Sequence, residues 1–361
     1  MYPKEVGAFL VSEPIAAGGM ATIHVATTRG PQPRVVALKC LHADVEDEPL
    51  YRKMLLDEAA IVARVLHPNV VRTHGVATLD GRIYVVMDYV EGVSLDRLMR
   101  EMFPGPLPSR VVVAIMAAAL RGLHAAHEAK DAHGTSLGVV HRDVSPQNVL
   151  VGTDGVARIA DFGVAKASGR LQTTRRGEIK GKLLYMAPEQ ISGARIDRRA
   201  DVYAAGIVLW EALTGRAMFD AESPSEMLAA ALEGCTTPPS SLAPGVGPAL
   251  DAIVFRAMRA SPLERFATAL EMAEALESAV EAADVAELAC WVRALGAPAI
   301  RKQAQARFTL RMRAASGACA SPALVTPRLV RRKTASVVPI VFGGICFLAA
   351  VTIAIAAPFM R

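Results

Sequence analysis

His141-Arg142-Asp143-Val144-Ser145-Pro146-Gln147-Asn148, with Asp161-Phe162-Gly163 downstream, gathers acids, amides and bases into a region rich in turn-forming residues. Taken singly, each string is ordinary: an aspartate ahead of Pro146 starts a turn, and Asp and Gly are common in loops. Working outward, Gly18-Gly19, then Val36-Ala37-Leu38-Lys39, then Glu58 lie upstream, and Ala187-Pro188-Glu189 lies downstream. A lone lysine on a strand is usually solvated, and Glu58 alone would be a charge on a helix surface. Strings that mean little individually become specific when they occur in one order with these gaps.

The chain has 361 residues, 52% of them hydrophobic, enough to bury a substantial core. A net charge of +5 is too small to argue for nucleic acid, and none is expected as a partner. The five cysteines form no C-x-x-C pair, which fits a reducing compartment. No signal-peptide pattern opens the sequence, so the main body is expected in the cytoplasm. Short β-branched runs, Ile23 to Ala26, Val35 to Leu38 and Ile83 to Met87, predict a small sheet-rich lobe with one helix over 50–66. After Ser94, Ala- and Leu-rich segments predict helices over 109–127, 202–213, 225–232 and 264–283. Between them, 163–181 is polar, basic and long for a plain connection.

On the ordered strings, the sequence resembles the protein kinases, and specifically the eukaryotic-like serine/threonine kinases of bacteria, over roughly Gly7 to Leu276. The resemblance implies an α+β, two-lobed protein kinase fold, with a small β-rich N-lobe and a larger helical C-lobe. It implies ATP and Mg2+ as cofactors and protein substrates as partners. Phosphoryl transfer needs positioning and charge neutralisation more than covalent help. By the resemblance, Lys39 contacts the α- and β-phosphates and pairs with Glu58, and Asp143 accepts or orients the acceptor hydroxyl. Asn148 and Asp161 hold the metal, which suits a hard cation that takes one or two protein oxygens plus phosphate. The nucleotide is expected against Ala16, Gly18, Gly19, Ile23, Ala37, Lys39, Met87, Asp88 and Val90, with the base at the hinge near 87–90. Asp201 resembles the aspartate that supports the catalytic loop, and Arg265 the arginine that pairs with Glu189.

The sequence departs from the family pattern in three places. The phosphate-covering loop keeps Gly18 but carries Ala16 and Ala21 where glycines are usual, at about 1 kcal/mol per site if positive φ is needed there. Ser145 replaces a lysine that touches the transferred phosphate, a loss worth about ten- to a hundredfold in rate if nothing compensates. Gln147 stands where tyrosine kinases carry an arginine, so the loop bears neither acceptor-type marker. Lys182, in a threonine position, is expected to supply the charge that Ser145 lacks. Thr173 and Thr174, flanked by Arg175 and Arg176, are the activation-loop phosphoacceptor candidates, ahead of Ser168, with Arg142 as the phosphate's partner.

No charged residue occurs from Thr334 to Met360, while Arg328, Arg331, Arg332 and Lys333 precede that stretch and only Arg361 follows it. A helix of this length rises about 40 Å against a hydrocarbon core of about 30 Å, so one C-terminal transmembrane helix is expected. The positive-inside tendency then leaves the kinase domain cytoplasmic on a single-pass inner-membrane protein, with anionic lipid near Arg328–Lys333. The expected divisions are a kinase domain at 7–280, a helical extension at 281–313, a basic linker at 314–336 and the span at 337–360. Function is expected to be transfer of the ATP γ-phosphoryl to Ser/Thr hydroxyls, with autophosphorylation in the activation loop; homodimerisation is left open. The competing expectation is a membrane-tethered pseudokinase scaffold, favoured by Ala16, Ala21 and Ser145.

Overall fold

The computed structural model describes residues 4–17, 21–29, 32–42, 56, 59–79, 82–162, 184–219 and 224–316. The small lobe is a six-stranded antiparallel sheet in the order β1-β2-β3-β4-β6-β5. Its strands are β1 (Lys4–Val6), β2 (Phe9–Ala17), β3 (Ala21–Thr28), β4 (Val35–Leu41), β5 (Thr73–Leu79) and β6 (Arg82–Asp88). The expected runs fall in β3, β4 and β6, and period-two alternation decides which face each side chain takes. Val36, Leu38 and Cys40 of β4 join Tyr84 in one cluster. Ala37 lies on the opposite face with Ile83, Val85 and Met87, where Ala160 and Leu150 of the large lobe meet them. Lys39 follows Ala37 onto that face.

The helix expected over 50–66 is described only at 56 and 59–66, and it ends early. Residues 59–62 are helical, after which Arg64 and Val65 donate to the carbonyls three residues back, at 3.1 and 2.9 Å. Such bonds tighten and finish a last turn, and His67, ahead of Pro68, is biased away from helix.

The large lobe contains α1 (Leu95–Met102), α2 (Ser109–His127), α3 (Pro188–Ile191), α4 (Arg199–Thr214), α5 (Pro224–Glu233), α6 (Pro248–Ala257) and α7 (Ala269–Ala279). Two further helices follow, α8 (Val285–Leu295) and α9 (Ala297–Ser316). A three-stranded sheet, β7 (Gly92–Ser94), β8 (Val149–Gly152) and β9 (Ala157–Ile159), lies under the junction of the lobes. Helix α2 packs against α4, α7 and β9. Residues Ala200 to Thr214 of α4 are all buried, Asp201 and Glu211 included, as befits a helix at the centre of a lobe. It stops at Gly215, whose φ of 69° is the left-handed cap; a Cβ there would sit 2.7 Å from the Gly105 carbonyl oxygen.

The single helix expected over 264–283 is instead a 3-10 turn (Pro262–Glu264), an extended Arg265 and then α7, which Thr268 caps by accepting from Glu271 N at 3.1 Å. The helical period of the sequence runs through this stretch, but the contact of Arg265 with Glu189 overrides it there. Gly296 and Pro298 mark the junction of α8 and α9, and α9 continues past the expected boundary at Arg313 to Ser316. The rest of the expected linker and the expected span lie outside the described residues. Among those described, α2 alone is long and apolar enough to cross a bilayer, and it is mostly buried in the large lobe.

Candidate active site

Lys39 on β4 pairs in register with Ile23 of β3 and Val85 of β6, which fixes its stem at the centre of the sheet face opposite the large lobe. Its Nζ lies 3.0 Å from Asp161 Oδ1, and both side chains are about three-quarters buried at 26% and 23% exposure. The expected partner Glu58 lies outside the described residues, as do Gly18, Gly19, Ser168, Thr173, Thr174 and Lys182.

Asp161 and Arg142 are the only described non-glycine residues with positive φ, at 58° and 63°. Each such conformation costs on the order of 1–2 kcal/mol and persists only where the surroundings enforce it. The enforcing group is Asp201, 1% exposed. Its carboxylate accepts from His141 N at 2.8 Å, Arg142 N at 2.7 Å and His127 Nε2 at 2.7 Å. Burial alone would raise the pKa of Asp201; the His127 hydrogen bond, the nearby imidazoles and the His141 amide more than offset it and hold the carboxyl below its ordinary value.

His141 carries the restraint on to Asp161. Its Nδ1 accepts from Asp143 N at 3.2 Å, so the ring proton of the neutral tautomer sits on Nε2, which donates to the Ala160 carbonyl at 3.0 Å. The ring also lies 4.6 Å, centroid to centroid, from buried Phe162. One buried aspartate therefore sets the geometry of both the 141–148 loop and the Asp161 turn.

Within that loop, Asn148 Nδ2 donates to the Asp143 carbonyl at 2.7 Å and reaches Asp143 Oδ2 at 3.2 Å. The amide's remaining oxygen is a hard donor, and Asp161 brings carboxylate oxygens from the neighbouring turn, where Ala160 N donates to the Asn148 carbonyl at 2.8 Å. Among the described residues no three His, Cys, Asp or Glu side chains form a metal cage. The two oxygen-bearing groups suit a cation that shares its coordination with phosphate. Ser145 is 8% exposed, and Gln147 Nε2 is engaged with Asp96 Oδ1 at 3.0 Å.

Apolar residues complete the cleft. Ile23, Ala37, Met87 and Val90, all expected at the nucleotide, share one cluster. Leu150 and Ala160 close it from the large lobe. Neither was singled out from sequence, although the alternation of Val149-Leu150-Val151 after Asn148 puts Leu150 on the face opposite its buried neighbours. Lys39, Met87, Asp161 and Phe162 also line a cavity that continues to Val62 and Thr73. Ala16 and Ala21 lie in strands, not among the positive-φ residues, so the conformational cost contemplated for their methyl groups is not incurred at either.

Below the cleft, Arg265 grips Glu189 with two bonds of 2.7 and 2.8 Å, both side chains nearly inaccessible. It also donates to the carbonyls of Arg199, Ala260 and Arg259 and covers the Tyr203 ring at 4.8 Å. Tyr185 donates to Glu211 at 2.7 Å, and burial raises the Glu211 pKa. These contacts moor the segment that follows 163–183 onto α4.

The protein kinase domain family model matches residues 9–270. The chain is 39% identical over 278 residues to the tyrosine-protein kinase MasK of Myxococcus xanthus, covering 75% of this chain and 43% of that protein. It is 34% identical over 278 residues to the serine/threonine-protein kinase PknH of Mycobacterium tuberculosis, covering 77% and 43%. To PknE of the same organism it is 34% identical over 280 residues, covering 78% and 47%. The chain thus spans less than half the length of these curated relatives. Among solved structures, the Mycobacterium tuberculosis PknI kinase domain superposes with a TM-score of 0.60 at 26% identity, covering 78% of this chain and 99% of that one.

Proposed function

The chain belongs to the protein kinase family, in its eukaryotic-like bacterial serine/threonine branch, and from that premise we propose that it moves the γ-phosphoryl of ATP onto serine or threonine hydroxyls of proteins. The observation that carries this reading is the convergence of Lys39, Asp161, Asn148 and Asp143 on one cleft whose backbone is held by Asp201.

The residues take distinct roles. Ile23, Ala37, Met87, Val90 and Leu150 form the slot for the adenine, with the backbone at Asp88–Val90 on its edge. Lys39 offsets charge on the α- and β-phosphates. Asp161 and Asn148 hold the divalent cation, taken as Mg2+, which neutralises phosphate charge during transfer. Asp143 orients the acceptor hydroxyl and takes its proton as the oxygen bonds to the γ-phosphorus; the bond to the β,γ-bridging oxygen breaks and ADP leaves. Ser145 brings no cation to this step, and Lys182 is the proposed source of the missing charge, so Lys182→Thr is expected to lower turnover.

Arg142 Nε is buried and has no hydrogen-bond partner among the described residues. That supports an anionic group arriving beside it, and phosphorylated Thr173 or Thr174 is the proposed source. The uncharged stretch after Lys333 supports a single span that keeps the kinase domain cytoplasmic.

Phosphoamino-acid analysis of the purified chain incubated with labelled ATP tests the proposal. Phosphoserine or phosphothreonine is expected. Phosphotyrosine would favour the acceptor type in the name of MasK, and no transfer with nucleotide binding intact would favour the scaffold reading to which Ser145 points.

A further inference from the structure

Helix α9 lies beyond the 9–270 kinase match, yet it touches both lobes and the segment between them. Its residues Ile300, Gln303, Arg307, Leu310 and Ala314 recur at helical spacing on one stripe. They meet the rest of the molecule in order. Ile300 packs on the large-lobe core. Gln303 accepts from Tyr89 Oη at 2.9 Å through Oε1 and donates to the Gly92 carbonyl at 2.9 Å through Nε2. Arg307 forms a two-pronged pair with Glu91, Nη1 to Oε2 at 2.7 Å and Nη2 to Oε1, and lies 5.5 Å from the Tyr89 ring centroid. Leu310, 1% exposed, and Ala314 pack against Leu10, Val25, Val35 and Tyr89. Val25 and Val35 share, by strand alternation, the sheet face that Ile23 and Ala37 turn toward the cleft. Arg301 and Lys302 are exposed.

We propose that α9 is an interlobe strap in which Gln303 and Arg307 are positioning residues for the nucleotide, pinning Tyr89–Gly92 so that the adenine-binding edge stays in register with both lobes. This rests on the reading of Asp88–Val90 as that edge. The residues touch no substrate; they raise the fraction of molecules whose hinge is competent to bind, and apparent affinity scales with that fraction.

The test measures KM for ATP, kcat and amide exchange across residues 88–92 in the full chain, comparing wild type with Arg307→Ala, Gln303→Ala and the exposed control Lys302→Ala. Arg307→Ala and Gln303→Ala should raise KM about three- to tenfold, leave kcat within about twofold and speed hinge exchange, with the control unchanged. Glu91→Arg alone should behave like Arg307→Ala, and the pair Glu91→Arg with Arg307→Glu should recover most of the loss, which a general folding defect would not do. Unchanged KM, or a fall in kcat alone, overturns the strap. A wild-type chain that binds no nucleotide refutes the site reading instead; the strap is then judged on exchange, and equal exchange in wild type and Arg307→Ala overturns it.

Discussion

The smallest unit that explains the site is the Asp201 carboxylate. Two residues in left-handed conformations follow from its bonds, directly at Arg142 and through His141 and Ala160 at Asp161. In Asp201→Asn an NH2 group replaces one acceptor and faces a donor, which should cost about 3 kcal/mol and misplace Asp143 as well. Thermal melts and single-turnover rates would both register it. Because the folded pKa of Asp201 lies below its ordinary 3.8, its ionised form is stabilising above that value, and the contribution is lost as pH falls through the lower folded value. Wild-type stability should therefore decline below about pH 4 more steeply than that of Asp201→Asn, in melts run across acid buffers. Asp143→Asn makes the contrasting case. Its backbone bonds to Asn148 and His141 persist, so nucleotide binding should survive while transfer drops about 10²- to 10⁴-fold, measured as label incorporated per chain.

Between elements, the Glu189–Arg265 pair ties α3 to the turn ahead of α7. Arg265→Ala leaves a buried carboxylate unpaired and should cost about 3–5 kcal/mol, whereas Thr268→Ala, removing only the α7 cap, should cost about 1 kcal/mol. Denaturant midpoints of the two variants would show the gap, and comparable losses would contradict the ranking. The same pair shows where sequence reading succeeds and fails. In β4 the alternation of Val36, Leu38 and Cys40 against Ala37 and Lys39 is written locally, and the strand falls where it predicts. Ser109 to His127 likewise carries its own helical period. Over 264–283, however, Arg265 has good helical neighbours and is extended because its guanidinium is committed to a glutamate far away in sequence. The 59–62 helix ends early for a similarly specific reason, the tightened turn ahead of Pro68. Chemistry-bearing residues were legible through their order, but Leu150 and His127 were not, since an apolar strand residue and a helix histidine look alike whether or not a site lies beside them.

At the scale of the whole molecule, contacts across great sequence distance decide the arrangement, and no window of sequence displays them. Gln303 meets Tyr89 across most of the chain, and nothing in the composition of α9, basic and without an acidic residue, announces a docked helix. The stretch after Lys333 makes a separate statement about location: full-length protein should remain with the membrane fraction through alkaline carbonate washing, and its release into the supernatant would remove the proposed span.

The Lys39–Asp161 contact bears on the order in which the cleft fills. An ammonium already neutralises the carboxylate that is to receive a cation, so a lone divalent ion gains little by displacing it. An incoming triphosphate offers Lys39 an alternative anion and frees Asp161 at the same moment. Ion and nucleotide should therefore load cooperatively, each tightening the other by the same factor, as reciprocity requires. Calorimetric titration of magnesium chloride with and without a non-hydrolysable ATP analogue should give weak binding alone and at least about tenfold tighter binding in company, and Lys39→Met should shrink that ratio by removing the ammonium that the ion has to displace.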